Sequence, residues 1–370
     1  MSHTEISETF SRYTEVQERS IVFAPIISAC LSIFGSGSII YTVLKDRKLG
    51  VWRVHERVLL AMSTCDIVSS FNHAMTSIPV PKEVPVFLAS GNKSSCVVSA
   101  FINQFGLIVA FYNATLCWYF SLVIVKNMSE PQIEKIEWIV HGVPIVLGLL
   151  VTIMPLTQNT YRYEGTTRCW IASFPLGCHV NDDIDCIAGE NALKIAWLYA
   201  GLPMILVLVF VLVIMIRIYV KVHSLEKKHL KNLAKADSGN SNNTVESKNR
   251  KVYEDEFDVD EAKIDECVEL ESKENVNLEV FPKTPMEKTS PEDSVPKTKK
   301  VYQSKSRTVA KIASLYVLAL FVTFFFTYVR RILNFENINA FFAVHLLDRI
   351  FFPTQGIFNY FVFMYRRKLS

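Results

Sequence analysis

Residues 192–219 read ALKIAWLYAGLPMILVLVFVLVIMIRIY, an apolar run in which Lys194 and Arg217 are the sole charges. A helix rises ~1.5 Å per residue, so this stretch is long enough to cross the ~30 Å hydrocarbon core of a bilayer. Working outward, comparable runs recur at 21–44, 55–78, 99–125, 136–157, 308–332 and 341–365, which makes seven spans. Their apolar residues are continuous rather than alternating, so helices are expected and not the strands of a barrel. Half of the 370 residues are hydrophobic and only 20% are charged, a balance that argues against a water-soluble enzyme. A formal net charge of +3 leaves no basic footprint for nucleic acid. The expected fold class is an all-α membrane protein, a seven-transmembrane helix bundle.

Basic residues near the helix ends set the expected orientation. With the N-terminus outside and the C-terminus inside, the inner loops collect Lys45, Arg47, Lys48, Arg53 and Arg57, then Lys126 and Lys135, and Arg366, Arg367 and Lys368 close the tail. Residues 1–20 are polar and form an external N-terminal tail without a visible cleavable signal, and 366–370 form a short internal tail. Asn92-Lys93-Ser94 is a glycosylation sequon on the expected outer side. Cys96, Cys169, Cys178 and Cys186 all fall on that side too, where disulfides persist. Four cysteines allow three pairings, and their spacing does not choose among them.

The segment 220–307, between helices 1–5 (21–219) and helices 6–7 (308–365), has a different composition. Tyr253–Glu279 carries 12 acidic residues against two lysines, a local charge of −10 between basic flanks. With few aromatics to build a core, this long inner loop is expected to be largely disordered. Ile218–Ala236 is expected to extend the fifth helix, its basic residues lying near anionic lipid.

Several chemistries lack their residues. A retinal Schiff base needs a lysine in the last span, and 341–365 contains none. The eight histidines form no metal-binding pair at helical spacing, and no Gly-rich phosphate cradle occurs. No enzyme activity, metal or cofactor is expected.

Polar residues inside spans are costly and therefore worth following. Asp66 lies mid-span in LLAMSTCDIVSS, Asn113 in AFYNATLCWYF, and Gln355 and Asn359 in FFPTQGIFNYFVF. Gln355 and Asn359 are four apart and share a helix face. These four are expected to form one buried polar switch. Pro353 and Gly356 mark a hinge in the seventh helix, because proline removes a backbone donor and glycine permits deformation. His345, Asp348 and Arg349 near the start of that helix, with Arg330 and Arg331 ending the one before, either line a ligand cavity or anchor the helix ends at the interface.

Taken together, the segments ERVLLAMSTCDIVSS (56–70), FYNATLCWYF (111–120), TVAKIASLYVLALFVTF (308–324) and PTQGIFNYFVF (353–363) resemble G-protein-coupled receptors. The closer similarity is to the cyclic-AMP-receptor-like and secretin-like receptors of protists and microalgae. Cys169-Trp170-Ile171 is similar to that family's second outer loop. The resemblance implies a Cys96–Cys169 disulfide, which leaves Cys178 and Cys186 as a second pair. Two rhodopsin-class signatures are missing: Val125-Lys126-Asn127 stands where Asp-Arg-Tyr would follow the third helix, and the seventh helix lacks Asn-Pro-x-x-Tyr.

The function implied is transduction of an extracellular ligand signal to a heterotrimeric G-protein at the plasma membrane. The ligand would enter among helices three, five, six and seven. Lys227, Lys228, Lys231, Lys305, Arg307 and Lys311 would meet the G-protein or membrane lipids. The alternative is a polytopic transporter or channel, or a non-signalling scaffold, using the same helices.

Overall fold

The computed structural model describes residues 13–48, 50, 52–175, 178, 185–240, 297–332 and 338–368. The acidic centre Tyr253–Glu279 lies outside the described residues.

Seven spans form one bundle. The first is α1 (Glu15–Lys48) and the second α2 (Val54–Ala74). The third is interrupted once, between α3 (Lys93–Phe105) and α4 (Ile108–Ile124). A short α5 (Glu130–Glu134) leads into the fourth span, α6 (Glu137–Thr157). The fifth comprises α7 (Ala192–Ala196), a π-helical turn at Trp197–Gly201 and α8 (Leu202–Asn240). The sixth is α9 (Lys297–Ile332). The seventh is α10 (Ile338–Phe351), a 3-10 turn at Phe352–Thr354 and α11 (Gln355–Arg367). Both α8 and α9 run well into the 220–307 segment, so its two described ends are helix rather than loop.

α4 sits at the centre, against α2, α6, α8 and α9, while α1 packs along α2, α10 and α11. Nearly every α4 side chain is buried. Large apolar side chains face outward instead, among them Val146, Leu150 and Ile153 on α6 and Leu206, Val209 and Ile216 on α8. An apolar surface of that extent needs lipid to cover it, and the chain is a multi-pass membrane protein. Among the described residues, five helical segments are long and apolar enough to cross a membrane by length and composition alone. The second and seventh spans are not among them. The reason is physical: α2 and α10–α11 carry buried polar residues, including His55, Asp66, His73, His345, Asp348 and Arg349, which other helices shield from lipid.

Lipid tails are as apolar as leucine, so close packing and interhelical hydrogen bonds must hold such a bundle together. α1 presents Ser28, Ser32, Gly35 and Ser36 on its buried face. Small side chains there let the backbones of α1 and α11 meet: a Cβ on Gly35 would fall 2.7 Å from the Gly356 carbonyl oxygen.

At one end, a hairpin pairs β1 (Tyr161–Tyr163) with β2 (Cys169–Ile171), in the register Tyr161 to Ile171. Cys169 in β2 is bonded to Cys96 in the first turn of α3, and Cys178 is bonded to Cys186. Both pairings agree with those the resemblance implies. The first ties the hairpin down over the bundle, because it joins residues 73 positions apart.

Candidate functional site

Beneath the hairpin lies a cavity of about 230 Å³. Its apolar wall comprises Leu107, Trp170, Trp197, Met204, Phe324 and Phe352, and its polar side Asn103, Gln104, Arg168, Tyr328 and Arg330. Helices three, five, six and seven and the hairpin all contribute.

Gln104 organises the wall. It is fully buried. Its Oε1 accepts from Trp170 Nε1 at 2.7 Å, and its Nε2 donates to the Val151 carbonyl at 3.1 Å and to the Tyr199 carbonyl at 2.9 Å. Tyr199 belongs to the π turn, where the helical bond pattern shifts, and Gln104 thereby pins that turn to the third and fourth spans and to the hairpin. Replacing Gln104 with leucine strands three polar partners, each loss costing about 1–3 kcal/mol. The variant should unfold at lower temperature than wild type when heated in detergent. An unchanged unfolding temperature would remove this role.

The hairpin turn and helices six and seven meet in a buried ionic cluster. Arg168 Nε donates to Glu164 Oε1 at 2.7 Å. Arg330 Nη1 lies 3.7 Å from that same oxygen, and Arg330 Nε lies 3.2 Å from Asp348 Oδ2. Thr327 donates to Asp348 Oδ1, and Arg349 donates to Thr167 Oγ1. His345 is fully buried, and its Nδ1 is 3.1 Å from the Tyr13 hydroxyl. In the hairpin, burial, reinforced by the Glu164 carboxylate, raises the Tyr163 hydroxyl well above its usual range. It therefore stays protonated and donates to the Thr166 carbonyl at 2.7 Å.

Of the five cavity candidates, Arg330 lines the cavity, while Asp348, Arg349 and His345 are buried beside it. Burial argues against the interfacial-anchor alternative for these four. Arg331 lies in α9, but its side chain is outside the described residues.

Deeper in the bundle, Asp66 Oδ2 accepts from Ser32 Oγ at 3.0 Å and Ser36 Oγ at 2.8 Å. Ser32 Oγ accepts in turn from the Gly356 backbone N–H at 2.8 Å. Gln355 Nε2 donates to Asn359 Oδ1 at 3.1 Å, and Asn359 Nδ2 contacts Met62 Sδ at 3.8 Å. Asp66, Gln355, Gly356 and Asn359 thus gather at the junction of α1, α2 and α11. Asn113 does not join them: its amide donates to Val109 of its own helix at 3.0 Å. Pro353 lies in the 3-10 turn, where the helix departs from α geometry, while Gly356 lies one residue inside α11 and serves close packing. The same turn places the Phe352 ring edge-on to His73 of α2 at 5.0 Å and to Phe324 of α9 at 5.5 Å.

At the opposite end, Arg57 of α2 grips both Glu137 carboxylate oxygens, at 2.5 and 2.8 Å, and reaches Glu134 at 3.2 Å. Glu130 accepts from the Tyr119 hydroxyl at 2.8 Å and from the Val54 backbone N–H at 2.5 Å. These contacts join the second, third and fourth spans at the position where the chain lacks Asp-Arg-Tyr. Lys227, Lys228, Lys231 and Lys311 are exposed on α8 and α9 at this end. Lys305 and Arg307 are in α9, with side chains outside the described residues. Asn92 is exposed at the disulfide end and caps α3, accepting from Ser95 N–H at 2.9 Å.

Gln104, Glu164 and Arg168 were not singled out by the sequence, and Trp170 only as part of the loop motif beside Cys169. Gln104 had a signal, an amide within the apolar run FINQFG like that of Asn113. The charged pair had none, since loop charges beside a cysteine are ordinary until the hairpin folds them inward.

The fold is a seven-helix membrane bundle. It is similar to the crystal structure of squid rhodopsin, with a TM-score of 0.57 and 13% identity over 97% of this chain and 85% of that one. No family model and no curated protein matches the sequence.

Proposed function

We propose that this chain is a receptor that passes an extracellular ligand signal to a heterotrimeric G-protein. Its N-terminus lies outside the plasma membrane and its C-terminus inside. The observation that carries this reading is the cavity itself: aromatic, partly polar, roofed by a disulfide-tethered hairpin and walled by the helices expected to move. Loop basic residues gather at the far end, and both disulfides and the Asn92 sequon lie at the cavity end, which supports the orientation.

The route inward runs through Phe352. This ring lines the cavity, and the next four residues are Pro353, Thr354, Gln355 and Gly356, the last of them packed against Asp66. A ligand with different affinity for two arrangements of that turn shifts their populations. The inner ends of α8 and α9, with Lys227, Lys228, Lys231, Lys305, Arg307 and Lys311, then present the G-protein surface, and anionic lipid shares these cations. The contacts of Arg57 and Glu130 hold the inactive form closed.

The test is nucleotide exchange on host G-protein heterotrimers by the full chain in nanodiscs. Exchange above that of empty nanodiscs, basal or ligand-driven, supports the reading. Silence with every heterotrimer, from correctly folded protein, defeats it. Asp66→Asn keeps the side chain's size and removes its charge. It is expected to change exchange at least threefold while surface expression stays within twofold of wild type. Equal exchange by mutant and wild type would leave Asp66 a purely structural residue.

A further inference from the structure

The buried cluster under the hairpin is unbalanced in charge. Among the described residues it holds three guanidinium groups, Arg168, Arg330 and Arg349, against two carboxylates, Glu164 and Asp348. Each of these five residues is buried or nearly so. Among the described residues one positive charge therefore lacks a counter-charge in a place that water reaches poorly, which is strongly unfavourable unless an anion completes it.

Two of the three arginines, Arg168 and Arg330, line the cavity. Arg330 Nη2 is buried there without a hydrogen-bond partner, and so are the Tyr328 hydroxyl and Asn103 Oδ1, both from cavity-lining residues. All three belong to residues that line the same cavity, and a guanidinium and a hydroxyl are the donors that suit an oxyanion. The remaining wall is aromatic and aliphatic, with Trp170, Trp197, Phe324 and Phe352 among its residues. The surplus is a single charge, which a carboxylate matches, whereas a phosphate monoester carries about −1.5 to −2 at neutral pH and exceeds it. The volume of about 230 Å³ restricts the body to a small ring system or a short acyl chain.

We infer that the cavity binds a small organic carboxylate with an apolar body, its head held by Arg330 and its ring or chain lying against Trp170, Trp197 and Phe352. The inference rests on the reading of this cavity as the receptor's ligand site. Asp348 has a second role in it. By pairing with Arg330 it holds the guanidinium in place and limits the charge offered to the ligand.

The experiment uses the full chain in nanodiscs and two probe series, each with one body and three head groups. The first is indole-3-acetate, indole-3-ethanol and tryptamine; the second is octanoate, octanol and octylamine. Binding is read by competition-resolved calorimetry and by quenching of tryptophan fluorescence. In at least one series the carboxylate should bind tenfold or more tighter than its neutral and cationic counterparts. Arg330→Gln should remove that preference. Asp348→Asn, which releases Arg330 and raises the local charge by one, should tighten the carboxylate by threefold or more, and this gain is readable even if Arg330→Gln fails to fold.

Neutral or cationic heads binding as well as the carboxylate in both series would overturn the inference. So would no binding in either series, or a carboxylate preference unaltered by both substitutions. Failure here is separable from failure of the receptor reading. Carboxylate binding without any nucleotide exchange would leave the site and remove the receptor. Exchange driven by the receptor without carboxylate selectivity would do the reverse.

Discussion

Gly356→Ala is expected to be among the most damaging single substitutions in this protein, although it adds one methyl group. A Cβ at that position would lie 2.3 Å from Asp66 Oδ2, 2.3 Å from Ser36 Oγ and 2.6 Å from the Ser32 carbonyl oxygen. None of these neighbours is the free end of a long side chain, so α11 must move away from α1. That movement breaks the bond from the Gly356 N–H to Ser32 and disturbs both hydroxyl bonds to Asp66. Overpacking alone costs about 1–3 kcal/mol, and hydrogen bonds to a charged group add about 1.5–3 kcal/mol each in soluble proteins. Polar contacts in membranes average less, so a loss of roughly 3 kcal/mol is expected. Gly37, in the middle of α1, provides the control because a Cβ there meets nothing within 4 Å. Gly37→Ala should be neutral, or stabilising by up to about 1 kcal/mol through helix propensity. Thermal unfolding of the two purified variants in detergent decides the matter. Equal unfolding temperatures would show that the α1–α11 contact is not as close as described.

The second large effect concerns the Cys96–Cys169 bridge. Replacing both cysteines with serine opens a loop of 73 residues, which the chain-entropy account values at roughly 4 kcal/mol. Cys178–Cys186 closes only eight, worth roughly 2–3 kcal/mol on the same account. Spans that stay inserted in the bilayer restrict the opened chain, so both figures are upper values, but their order should hold. The first bridge also positions Trp170, whose indole donates to Gln104, and Arg168, which lines the cavity. The Cys96/Cys169 double variant should therefore lose more stability than the Cys178/Cys186 variant, and lose whatever ligand response the wild type shows. A greater loss from the Cys178/Cys186 pair would contradict this account of the hairpin.

The polar positions show how far sequence reading reached. Asp66, Gln355 and Asn359 stood out because an ionisable or amide group in an apolar run must find a partner, and the structure gathers them at one junction. Asn113 met the same criterion and went elsewhere, its amide N–H bonded to a carbonyl of its own helix. An amide has two ways to avoid unpaired burial, local and interhelical, and periodicity does not distinguish them. Gly356 was legible as a glycine in a helix, but its use was not: the restriction comes from Ser32 and Ser36 of α1 and Asp66 of α2, far away in sequence.

The sequence by itself determined the number of spans, their helical character and the positions where polarity had to be accommodated. Those follow from local facts, the length of apolar runs against bilayer thickness and the cost of bare polar groups in hydrocarbon. Only the tertiary structure decided which polar groups meet. The ionic cluster draws Glu164 and Arg168 from a loop, Arg330 from α9 and Asp348 and Arg349 from α10, and the surplus positive charge counted among the described residues belongs to no segment alone. Charge balance in a buried site is set by which side chains share a volume, and that volume exists only once the disulfide-tethered hairpin has closed over the bundle.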